Sequence, residues 1–135
     1  MKKYRLSRDG KTLIVGKDSI VDKHLRFDGT VFAGILSSFW GNIEASEVKL
    51  AGRNFVGGSI LCEKAIIGPK TEFNEIVADG NVLIFPKCRG RFVKGDSVII
   101  KEGSVIGFVK ANRIVIEGYA KIGRLEGGKI IVSKS

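Results

Sequence analysis

Apolar and polar residues alternate in short runs along this chain, and the runs recur as one grid, six times over, at an interval of about 16 or 17 residues. Positions two apart within a run, and three or four apart across a break, read as inward-facing. One full set is Ile43, Ala45, Val48, Leu50, Asn54 and Val56, and the next is Ile60, Cys62, Ala65, Ile67, Thr71 and Phe73. After an irregular stretch the grid resumes with Val93, Gly95, Val98, Ile100, Ser104 and Ile106, then with Val109, Ala111, Ile114, Ile116, Ala120 and Ile122. A partial set of Leu125, Gly127, Ile130 and Val132 closes the series; Ile20, Asp22, Leu25, Phe27, Val31 and Ala33 open it.

Period two within short segments predicts half-buried strands, and the superperiod predicts that each turn stacks on the one before as a rung with three strands. The expected fold is all-β, a single-stranded parallel β-helix of triangular section with about 6–7 rungs of 16–17 residues. One column holds large residues (Leu25, Val48, Val82, Val98, Ile114, Ile130, with Ala65 the exception), and another stays small (Asp22, Ala45, Cys62, Gly95, Ala111, Gly127). In the irregular turn either Ile76 and Ala78 or Val77 and Asp79 point inward, and a bulge near Asp79, Gly80 and Asn81 would resolve the choice.

The grid divides the chain into a flexible basic leader, residues 1–12, and a β-helix domain, residues 13–135, with an apolar insertion at 34–42. Ala33 and Ile43 lie ten residues apart, and Ile35, Leu36, Phe39 and Trp40 fall between them. Such a loop either folds over the N-terminal end as a cap or dips into a membrane interface, where Trp and Phe favour the headgroup boundary.

Charge sharpens this picture. The formal net charge is +9, and Lys2, Lys3, Arg5, Arg8 and Lys11 crowd the leader with only Asp9 against them. An anionic membrane surface and nucleic acid both suit such a segment, as does a merely solvated tail. The expected membrane or anion contacts are Lys2, Lys3, Arg5, Phe39 and Trp40. Further bases at Lys87, Arg89, Arg91, Lys94, Lys110, Arg113, Lys121 and Arg124 would serve a polyanion or simply solvate corners. No aromatic ladder interleaves with them, which disfavours single-strand nucleic-acid binding. No secretory signal and no bilayer-spanning run is found, so the expected location is the cytoplasm, with the inner face of the cell membrane as the surface within reach.

Enzymatic chemistry lacks its parts, and the expectation is a protein that is not an enzyme and carries no cofactor or metal. One histidine, His24, cannot build a three-histidine zinc site, and as a lone base for acyl transfer it has no orienting partner in sequence. The carboxylates are scattered, and no phosphate-binding glycine loop is present. Cys62 and Cys88 fall on inward positions and read as small core hydrophobes.

Two surfaces remain. The outward residue of the second strand in each rung reads Arg26, Lys49, Ile66, Leu83, Ile99, Val115 and Ile131, so the last five form an apolar strip about 20 Å long at the usual strand spacing. That strip is the expected lateral interface. Only Ser133, Lys134 and Ser135 follow Val132, which leaves the last rung without a cap. The expected end-to-end assembly residues are Ile20, Leu25 and Phe27 at one end and Leu125, Ile130 and Val132 at the other.

From about Leu13 to Val132 the chain resembles the bactofilins, a polymer-forming cytoskeletal family. The likeness lies in Ile14-Val15-Gly16-Lys17-Asp18-Ser19-Ile20, in Leu25-Arg26-Phe27-Asp28-Gly29-Thr30-Val31, and in repeats typified by Gly41-Asn42-Ile43-Glu44-Ala45. The resemblance implies a right-handed β-helix that polymerises without nucleotide into nonpolar filaments through its ends, often on the inner membrane face through a short N-terminal segment. The expected function is thus a nucleotide-independent scaffold whose main partner is itself. A polyanion-binding or nucleic-acid-binding β-helix module and a divergent acyltransferase-like β-helix are the alternatives.

Overall fold

The computed structural model describes residues 3–133, and over that span the chain is strand and turn throughout. Its strands in chain order are β1 (Tyr4–Leu6), β2 (Thr12–Val15), β3 (Ile20–Val21), β4 (Leu25–Ala33), β5 (Ser38–Phe39), β6 (Ile43–Leu50) and β7 (Phe55–Cys62). They continue with β8 (Lys64–Ile67), β9 (Glu72–Ala78), β10 (Asn81–Ile84), β11 (Arg89–Ile100), β12 (Val105–Glu117) and β13 (Lys121–Ser133). All pair in parallel except β1, which pairs antiparallel with β2. The result is the expected parallel β-solenoid.

Each rung has three faces. The first stacks β3, β5 and then the starts of β7, β9, β11, β12 and β13. The second begins with the start of β4 and of β6 and continues through the later parts of β7 and β9. The third stacks β2, the end of β4, the end of β6, β8, β10 and the ends of β11, β12 and β13. Leu13, Val31, Val48, Ala65, Val82, Val98, Ile114 and Ile130 form one column of this face, at successive steps of 18, 17, 17, 17, 16, 16 and 16 residues. The shrinking step has a local cause: early rungs carry an extra corner residue, seen as register shifts between Phe27 and Thr30 and between Val56 and Ser59.

Those extra residues overturn the expected first rung. Leu25 pairs with Ile43 and Phe27 with Ala45, so the turn that opens the full series is Leu25, Phe27, Val31, Ala33, Ser37 and Phe39. The large column therefore contains Val31, not Leu25, and Asp22 has no place in the small one. With this register the insertion at 34–42 disappears. Residues 34–37 are an ordinary corner and β5 an ordinary first-face strand between β3 and β7. In the irregular turn Ile76 and Ala78 are the buried pair, and Asp79 is the additional corner residue. The leader is also more ordered than expected, since β1 extends the third face by one antiparallel strand.

The core is one continuous cluster from Val15 to Ile116. Its single polar seam lies at the corner between the third and first faces, where Ser19, Ser37, Asn54, Thr71 and Ser104 are buried. Asn54 shows why polar residues sit there. Its Nδ2 donates to the carbonyls of Gly34 (2.9 Å) and Ser37 (3.2 Å), and its Oδ1 accepts from the Gly52 N–H (2.9 Å). Tight corners turn peptide groups out of the sheet ladder, and these side chains satisfy them. The third residue of the corner is left-handed in six successive turns: Asp18, Leu36, Arg53, Lys70, Lys87 and Gly103, with φ from 51° to 80°.

Candidate assembly surfaces

Among the described residues β13 at the C-terminal end pairs only with β12, and its other edge is open along all three faces. Leu125, Ile130 and Val132 are exposed there, Val132 by 62% of its surface, and Tyr119 stands free beside them. Leu125, Val132 and Tyr119, together with Ile116, Ala120, Ile122 and Glu102, line an open hollow of about 520 Å³. This is the underside of the core at the last described rung.

The N-terminal end is different. Strand β1 occupies the edge of the third face, with Tyr4 and Leu6 exposed. The edges of β3 and of residues 25–27 remain open on the other two faces. Leu25 and Phe27 are half-buried at this end, packed against the core. Ile20 is not in the same position: Val21 takes the inward place and Ile20 points off the first face.

The apolar strip is present as one stacked column, Ile66, Leu83, Ile99, Val115 and Ile131. Its other half lies in the earliest rungs. The column continues through Lys49 to Phe32 and Ile14, not to Arg26, which lies on the second face paired with Glu44. Eight rungs thus carry seven apolar residues and Lys49, a length of about 34 Å at strand spacing. A shallow groove of about 290 Å³ runs beside Ile66, Leu83 and Ile99, with Glu47, Lys64, Asn81 and Ser97 on its rim.

The residues expected to meet a membrane do not form one patch. Lys2 lies outside the described residues. Arg5, opposite Ile14, extends the third face. Phe39 is 1% exposed and belongs to the core, whereas Trp40 is 59% exposed at the corner between the first and second faces, across the section from the third. The alternation inside the true first rung sends Phe39 in and Trp40 out.

His24 is exposed at that same corner, and its Nδ1 accepts a hydrogen bond from the Asn42 N–H at 2.8 Å. Cys88 is buried and its thiol donates to the Gly68 carbonyl at 3.2 Å, while Cys62 is half-buried; both are free thiols. Burial, reinforced by Asp79, Glu47 and Glu63, pushes the Cys62 thiol up to about 12, and burial likewise raises Cys88. Among the described residues no group of three or more His, Cys, Asp or Glu is arranged to hold a metal, and no helix is long and apolar enough to cross a membrane.

Exposed charges follow two regimes. On several columns each rung neutralises the next: Arg26 with Glu44 (3.9 Å), Arg91 with Glu75 (3.3 Å), Lys101 with Glu117 (2.8 Å) and Lys110 with Glu126 (3.8 Å). Part of each corner that borders the third face does the opposite, although the second corner also carries the exposed Asp18 and Glu102 and the Lys101–Glu117 pair. Asp28, Glu63, Asp79 and Asp96 collect before that face and Arg53, Lys70 and Lys87 after it, all exposed and none in an ion pair among the described residues. Comparison with protein-family models, with curated proteins and with solved structures finds no match.

Proposed function

We propose that this chain is a nucleotide-independent scaffold that builds a homopolymer by stacking its solenoids end to end, as its resemblance to the bactofilins implies. The observation that carries the reading is the C-terminal rung, whose outer edge is open among the described residues. Three faces of β13 offer unpaired backbone donors and acceptors, and Leu125, Ile130 and Val132 offer apolar surface beside them. Burying each such side chain in a junction contributes about 1.5–3 kcal/mol, and restoring the ladder adds its hydrogen bonds. A second copy of the same end, or the open edges of β3 and residues 25–27, presents the matching groups. The basic leader supports contact with an anionic surface through Lys3 and Arg5, without an aromatic anchor from Phe39.

Negative-stain microscopy of the purified chain tests the reading. Wild type should form filaments, and Ile130→Glu with Val132→Glu should shorten or abolish them while circular dichroism stays that of the folded β-solenoid. Filaments of unchanged length in the double variant would show that this rung is not the junction.

A further inference from the structure

The third face carries an apolar column beside a mixed polar one that includes Glu47, Lys64 and Arg113, and over its middle rungs it is bordered by the exposed acids Glu63 and Asp79 on one corner and the exposed bases Lys70 and Lys87 on the other. We propose that it docks a second copy of this chain side by side, the two solenoids running in the same direction about a two-fold axis parallel to their length. This inference does not rest on the end-to-end reading.

The charge pattern selects both the occupant and its orientation. The strand of residues 64–67 is preceded by Glu63 and followed by Lys70; the strand of residues 81–84 is preceded by Asp79 and followed by Lys87. A two-fold axis along the solenoid keeps equal rungs level and reverses strand direction across the interface. Glu63 of each copy then meets Lys70 of the other, and Asp79 meets Lys87, giving four pairs by symmetry. Asp96 and Arg53 lie one rung beyond these pairs on their own corners, extending both stripes. Turning one solenoid end for end would instead set the rung of residues 64–67 against that of residues 81–84. Acid would then face acid and base face base. Like charges stacked at rung spacing within one copy repel, so a complementary stripe relieves a cost that the single chain bears.

The apolar columns lie against each other in the same arrangement. Lys49 in that column is held by Glu47 on its own strand at 3.1 Å, and the reversed strand direction sets it toward Glu47 of the second copy. A face eight rungs long and four residues wide buries roughly 900 Å² in total, below the usual size of a stable interface. Isolated copies should therefore pair weakly, and any repetition along a polymer should strengthen the pairing by avidity.

The test uses zero-length carbodiimide crosslinking of a mixture of ordinary and ¹⁵N-labelled full chain carrying Ile130→Glu and Val132→Glu. End-stacking is disfavoured in that background, and loss or persistence of filaments does not decide the outcome. Links between a light and a heavy copy joining Glu63 to Lys70 and Asp79 to Lys87 are expected. Two charge-reversed forms in the same background, Lys70→Glu with Lys87→Glu and Glu63→Lys with Asp79→Lys, should each lose pairing by about 30-fold or more in sedimentation, from the summed contribution of four exposed pairs. An equal mixture of the two forms should recover it, because every acidic corner then meets a basic one. Absence of the light–heavy links, or a mixture that pairs no better than either form alone, would overturn the proposal. So would unchanged pairing in the reversed forms, the result expected if like corners met or a different molecule covered the face.

Discussion

The ring of Phe73 fills the space that a side chain at Gly90 would need. The two residues stack on the first face, Phe73 in β9 and Gly90 in β11, and a Cβ on Gly90 would overlap the Phe73 ring. Neighbouring rungs share one core, so a bulky residue is accommodated by a missing one above it. Gly90→Ala should destabilise the chain by about 1–3 kcal/mol in urea denaturation. Adding Phe73→Val should return part of that loss, giving a coupled double-mutant cycle; additive losses would refute the packing relation.

Asn54 is the most heavily used polar side chain of the buried corner, with three backbone partners from two rungs. Asn54→Ala should cost about 3 kcal/mol, because the Gly52 N–H and the Gly34 and Ser37 carbonyls lose their side-chain partner in a buried corner. Arg53→Ala, next door but exposed, is the control and should cost far less. Equal losses in the two variants would mean that the corner does not depend on this network.

Leu36 holds φ at 64° with its side chain exposed. A left-handed backbone strains any residue with a Cβ, whereas glycine adopts it freely. Leu36→Gly should therefore raise stability by about 0.5–1 kcal/mol after the extra freedom of the unfolded glycine is deducted. A fall in the denaturation midpoint would contradict this.

Cys62 links stability to alkaline pH. Its thiol is raised from 9.0 to about 12 in the folded chain, so the folded state holds the proton more tightly than the unfolded one. The associated stability is complete below pH 9.0 and is lost as pH rises toward about 12. The wild-type midpoint should fall more steeply over that window than the midpoint of Cys62→Ala. Thiol-directed alkylation of native protein should also be slow relative to the unfolded chain.

Trp40 stands at the corner away from the third face, and Phe39 is unavailable as a second anchor. On anionic vesicles the fluorescence of Trp40 should remain that of a water-exposed indole even where the chain co-sediments, since Lys3 and Arg5 lie on the other side. A blue shift would place this corner in the headgroup region instead.

The sequence by itself determined the period, the three-sided rung and the inward columns from Ile43 onward, except in the turn where Ile76 and Ala78 competed with Val77 and Asp79. It also marked Asn54, Thr71 and Ser104 as inward despite their polarity, because each fell on the grid. Strict alternation makes such positions readable without any knowledge of what they touch. Only the tertiary structure decided the register of the earliest rungs. Ile20, Asp22, Leu25 and Phe27 alternate as well as Leu25, Phe27, Val31 and Ala33 do, and a shift by one face preserves period two. Rung-to-rung hydrogen bonds settle the matter by admitting extra residues at the corners near Asp28 and Gly57. That correction moved Phe39 into the core, removed the supposed insertion and carried the apolar strip through Phe32 to Ile14. The opposition of Glu63 and Asp79 to Lys70 and Lys87 was hidden for a related reason. Residues seven or eight apart in the chain become the two borders of one face only when the corners are placed in space.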